Sequence, residues 1–203
     1  QRTNFAWYAG MGTLLVILGM MRLTPSDMGG VPLAVLAFGV CLLGRTDRRV
    51  ALRWCAATLA VAAAVTSGLM TAAYLAFYGA DPVAWFPFPP SAYAVGGLIL
   101  AAYLKLRANA SEGQGGTQWS LPSLILVLVA ALAIGAAFVS LIAPLLAGVA
   151  SATPDLGALS VVRTGVLVVA AFVVAWLGRS RARLELVWTA NVVLIAAGCK
   201  IAI

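Results

Sequence analysis

Apolar residues run along this chain in long blocks separated by short polar turns. The blocks cover about residues 4–23, 29–44, 50–78, 91–106, 121–150, 156–177 and 184–203. A helix needs roughly 20 apolar residues to cross a bilayer, so the pattern predicts seven membrane-spanning helices. The second block is short for a crossing, and the third is long enough to tilt. Pro144 predicts a kink or an end in the fifth. Residues 79–90 carry four prolines beside Trp85, Phe86 and Phe88, which forbids a regular helix and suits the headgroup region. Residues 105–118 are polar and glycine-rich, a flexible linker. Residues 5–22 lack a basic leader and an A-x-A cleavage site, and read as a retained span rather than a signal peptide.

One stretch returns. Residues 43–54 (LGRTDRRVALRW) and 177–188 (LGRSRARLELVW) share Leu, Gly, Arg, a hydroxyl, Arg, Leu and Trp at matching steps. The register extends to Ala56, Ala62 and Ala63 facing Ala190, Ala196 and Ala197, and to Phe38 and Val40 facing Phe172 and Val174. The copies begin four spans apart and therefore point the same way through the membrane. The expected architecture is a single polytopic domain over residues 1–203 with a parallel internal repeat. Helices one to three (about 4–78) and five to seven (about 121–203) form the halves, joined by the helix at 91–106 and the linker at 105–118. This three-plus-one-plus-three plan is similar in architecture to that of sugar facilitators; the proline and polar signatures of that family are missing.

Composition strengthens the reading. Apolar residues make up 63% of the chain and charged ones 9%, against about 25% charged in soluble domains. A water-facing surface cannot be built from so few charges. The net charge of +7 sits in turns, which sets topology and meets anionic lipid rather than nucleic acid. Arg45, Arg48, Arg49, Arg53, Lys105, Arg107, Arg179, Arg181 and Arg183 fall on one side. Arg22, Arg163 and Lys200, offset by Asp27, Asp81 and Asp155, fall on the other. Cationic turns face the cytoplasm, so the N-terminus is expected inside and the C-terminus outside, in a bacterial-type inner membrane or a plasma membrane.

Chemistry is sparse. There is no histidine, and Cys41, Cys55 and Cys199 form no close-spaced ligand pair, so no metal or cofactor is expected. All six acids (Asp27, Asp47, Asp81, Glu112, Asp155, Glu185) lie at helix ends or in loops. No catalytic residue is expected, and the chain reads as a non-enzyme. Candidate ligand or partner contacts are Arg163, which must snorkel, bind an anion or pair with a neighbour; Asn191, which can bond across helices; and Thr66, Ser67, Thr71 and Ser140, which can bond their own backbone. Arg45 and Arg179, each near a tryptophan (Trp54, Trp188), read as headgroup anchors. Ala56, Ala60, Ala64, Gly68 and Ala72 recur every four residues as a helix-packing ridge.

Two functions follow as expectations. The first is a non-catalytic accessory, scaffold or anchor subunit packed among other membrane polypeptides and lipid. The second is a small solute or anion facilitator with a path between the repeat halves.

Overall fold

The computed structural model describes residues 2–25, 28, 30–43, 50–78, 89–112, 120–146, 156–180 and 184–202. Among these residues every regular element is helical: α1 (Arg2–Leu23), α2 (Gly30–Leu43), α3 (Val50–Thr66), α4 (Leu69–Tyr78), α5 (Pro90–Glu112), α6 (Leu121–Leu146), α7 (Leu156–Ser180) and α8 (Leu184–Ala202). The basic turn with Arg45, most of the proline-rich segment, the second half of the polar linker, and Arg181 and Arg183 lie outside the described residues.

Prolines mark the helix starts. Pro90 opens α5 with Ala92 N bonding Pro89 O at 2.8 Å, and Pro122 sits in the first turn of α6, where Ser123 N and Leu124 N bond Ser120 O. A proline costs nothing there because the first amides lack an intrahelical acceptor. At its other end α6 runs past Pro144 by two residues.

The described residues hold fewer full-length spans than the seven expected. Asn4–Leu23, Leu121–Ile142 and Arg163–Ser180 are long and apolar enough to cross a membrane, and Ala51–Thr66 with Leu69–Tyr78 adds a fourth if the bent pair is one span. Gly30–Leu43, Pro90–Leu106 and Leu184–Ile195 are apolar but shorter. The difference comes from the short apolar runs of α2, α5 and α8, α2 with its 14 residues rising only about 21 Å, and from a break that the third block conceals.

Alanine is the commonest core residue, and many large apolar side chains lie on the outside. α2 with α3 and α7 with α8 form close hairpins; α6 touches α3, α4, α5, α7 and α8, whereas α1 leans mainly on α3. Ala56, Ala60 and Ala64 have no exposed surface and Ala72 is buried, so the four-spaced ridge faces the interior of its own chain. Small side chains let backbones approach where lipid offers no hydrophobic drive between helices. Leu15, Leu18, Val65, Leu141, Phe172 and Trp176 point outward instead.

The ridge breaks at its fourth member. Gly68 adopts φ +73°, a left-handed position that a Cβ disfavours. Thr66 Oγ1 donates to Ala62 O (2.8 Å), Ser67 Oγ to Ala64 O (3.3 Å) and Gly68 N to Val65 O (3.2 Å), closing the last carbonyls of α3. Ser91 Oγ, from the start of α5, reaches Ser67 O at 3.4 Å. Ala72 N then bonds Gly68 O, and the chain restarts bent by 64°. A Cβ on Gly96 would meet both Ala133 of α6 and Leu69 at the start of α4, while Phe77, near the end of α4, packs over Gly135. The start of α4 thus packs against α5 through Leu69, and its end against α6 through Phe77. Gly68→Ala is expected to cost about 1–2 kcal/mol and lower the thermal midpoint in detergent, with Gly68→Asn affected less because asparagine tolerates this conformation.

Candidate functional site

The most polar assembly in the described interior joins the starts of α6 and α8. Glu185 stands in the first turn of α8 and is 1% exposed. Ser123, in the first turn of α6, donates from Oγ to Glu185 Oε1 at 2.5 Å, and Ser120 Oγ lies 2.7 Å from Ser123 Oγ. Ser123 Oγ is also 2.7 Å from Ser120 O. A hydroxyl carries one proton, so with the carboxylate ionised the order is Ser120 to Ser123 to Glu185. Thr189 Oγ1 turns back on Glu185 O at 2.8 Å. Both helix starts present the positive end of a backbone dipole to the carboxylate.

The hydrophobic pattern does not reveal this cluster, because an acid in a first helical turn reads as a solvated helix end. A faint signal lies in the repeated turn. Glu185 and Thr189 occupy the places of Ala51 and Cys55 in the first copy, two polar residues for two small ones.

The sequence-derived candidates are scattered. Arg163, on α7, is 7% exposed and its Nε has no exposed surface, so it points inward rather than snorkelling to the exterior. Asn191 and Thr71 face outward. Thr66 and Ser67 cap the end of α3, and Ser140 Oγ donates to Ala137 O at 2.8 Å, so these three hydroxyls bond their own helix as expected. Trp54, Trp188 and Arg179 are exposed; Arg45 is outside the described residues. No group of three or more metal-ligating side chains occurs among the described residues.

Comparison of the chain with protein-family models, with curated proteins and with solved structures finds no match.

Proposed function

We propose that the chain is a polytopic integral membrane protein acting as a non-catalytic accessory or scaffold subunit of a larger membrane assembly. The observation that carries this reading is its inverted exterior. Many large apolar side chains on α1, α6, α7 and α8 face outward while alanine is the commonest core residue, an exterior that water penalises and lipid tolerates. Three full-length apolar helices, one bent pair and three shorter apolar helices supply the segments for seven crossings, with the basic turns on the cytoplasmic side. The parallel repeat of helices one to three and five to seven is part of the proposal. It draws support from equivalent positions after each basic turn: Trp54 and Trp188 face out, whereas Ala56 and Ala190, and Ala63 and Ala197, are buried.

Membrane flotation is expected to retain the protein with the vesicles after an alkaline wash. Single cysteines at the repeat-equivalent positions Thr46 and Ser180, in a background with Cys41, Cys55 and Cys199 replaced by alanine, are expected to react only from the cytoplasmic side. Release by the wash, or labelling from opposite faces, overturns the topology. Mild-detergent extracts are expected to contain other membrane polypeptides bound to the chain. A lone monomer that moves solute in liposomes overturns the scaffold role.

The second reading, a small solute or anion facilitator, is favoured by the interrupted helix at Ser67–Gly68, since broken helices line transport sites in several transporter folds. Against it stands the outward placement of Asn191 and Thr71.

A further inference from the structure

The outward face of the third apolar block changes chemistry at the helix break. Along α3 the exposed positions are Trp54, Thr58, Val61 and Val65, and Thr58 Oγ1 turns back to bond Cys55 O at 2.9 Å. Beyond Gly68 the exposed positions of α4 are Thr71, Tyr74 and Tyr78, each bearing a hydroxyl. They follow one another at steps of three and four, so they share one helix face. The Tyr74 and Tyr78 rings stack with their centroids 5.7 Å apart. The other face of α4 carries Leu69, Ala72, Ala73 and Phe77, all buried. α5 adds to the same level. Ser91 Oγ reaches Ser67 O, which fixes the first turn of α5 beside the break, and Tyr93, two residues on, is exposed.

The geometry of the break agrees with the change in chemistry. The 17 residues of α3 rise about 25 Å, most of a hydrocarbon core of about 30 Å. The break therefore falls near the membrane surface opposite the basic turns. With α3 upright, the 64° bend leaves the ten residues of α4 only about 7 Å of further advance along the same direction. Tyrosine suits that depth, because its ring is apolar and its hydroxyl is best placed among polar headgroups. Valines such as Val61 and Val65 suit the hydrocarbon before it. At the other end of α3, outward-facing Trp54 shares a groove wall with Trp7 of α1, a second aromatic level of the kind that marks the opposite interface.

We infer that α4 is an interfacial helix whose Thr71, Tyr74 and Tyr78 face seats among the phospholipid headgroups of the non-cytoplasmic leaflet, while α3 alone carries the crossing. The inference rests on the membrane reading above and adds a headgroup-binding surface to it. The face is uncharged and offers hydroxyls to phosphate and ester oxygens, so it takes zwitterionic and anionic phospholipids alike.

Depth measurement tests the placement. Single cysteines replace Thr71, Tyr74, Tyr78 and Val61 in turn, in a background with Cys41, Cys55 and Cys199 replaced by alanine. Each is spin-labelled and the full chain is reconstituted in phosphatidylcholine vesicles, where collision with oxygen and with a water-soluble nickel complex reports depth. Labels at 71, 74 and 78 are expected at headgroup level and within about 5 Å of one another, with the label at 61 in the hydrocarbon. A helix continuing along α3 instead spreads the first three over about 10 Å, and that result overturns the inference. So do labels at the depth of position 61, or labels shielded from both collision partners, which assign the face to protein. The unsubstituted chain supplies a second measurement. Hydroxyl-radical footprinting in the same vesicles is expected to oxidise Tyr74 and spare buried Tyr103, and equal protection of the two overturns the placement. Failure of the protein to float with the vesicles overturns the membrane reading instead, so the two failures are separable.

Discussion

Leucine at position 30 is expected to yield little or no folded protein, and alanine there is expected to lower the thermal midpoint in detergent by about 10 °C, or about 3 kcal/mol. Gly30 starts α2 directly against the end of α3. A Cβ built on it comes 2.5 Å from Ser67 Cβ and 2.8 Å from Ser67 N, and closer still to Ala63 O. Two of these atoms are backbone and the third is the Cβ of a buried serine, so no flexible side-chain end can move aside. The groups that would be displaced also cap α3, with Ser67 N bonded to Ala63 O at 2.9 Å and Ser67 Oγ to Ala64 O. Crowding at Gly30 therefore attacks the hairpin and the helix break together. Gly12, on α1, is the control: a Cβ there meets nothing within 4 Å, and Gly12→Ala is expected to be neutral or stabilising by up to about 1 kcal/mol through helix propensity. Equal losses at Gly12 and Gly30 would show that the close approach at Gly30 does not hold the fold.

The second large effect is expected at the start of α6. Ser123→Ala removes a donor from a carboxylate that is almost wholly buried, at a cost of about 2–3 kcal/mol. Replacing both partners is expected to be milder. Ser123→Ala combined with Glu185→Leu removes the charge along with its hydroxyl, and swapping a buried polar pair for apolar side chains is often near neutral. Glu185→Gln, which keeps an oxygen at the acceptor position, is expected to fall between wild type and Ser123→Ala. The check is a double-mutant cycle by thermal or chemical unfolding in detergent. Strict additivity of the two changes would mean that Ser123 and Glu185 do not act on each other.

Much of the helical layout was legible in the apolar blocks because outward-facing and interior positions are both apolar, so each helix stands out as an uninterrupted run. The starts at Val50, Leu121, Leu156 and Leu184 lie at the expected places. The break after Thr66 was hidden by the same uniformity. Gly68 falls in step with Ala56, Ala60 and Ala64, and a glycine in a small-residue ridge reads as a packing contact. The local signal was the succession Thr66-Ser67-Gly68, two hydroxyls able to close carbonyls and then a residue free to turn left-handed. Site residues were harder to read because depth within the bundle is not encoded locally. Arg163 and Asn191 both look like polar intrusions into apolar helices, yet the first points in and the second out. Glu185 looked like a helix-end charge, yet it is buried against Ser123 at the start of α6.

The unequal helix lengths bear on the lipid as well as on the protein. α2 and α3 rise only about 21 and 25 Å over 14 and 17 residues, whereas α6 and α7 rise about 39 and 37 Å over 26 and 25 residues. With α4 bent 64° away from α3, the molecule combines short helices with long ones. If the chain spans a bilayer as proposed, a hydrocarbon core of about 30 Å must thin beside the short helices, and the long ones must tilt within it. In that setting each molecule would strain the lipid around it, and shared relief of the strain would draw it to places where membrane thickness already changes.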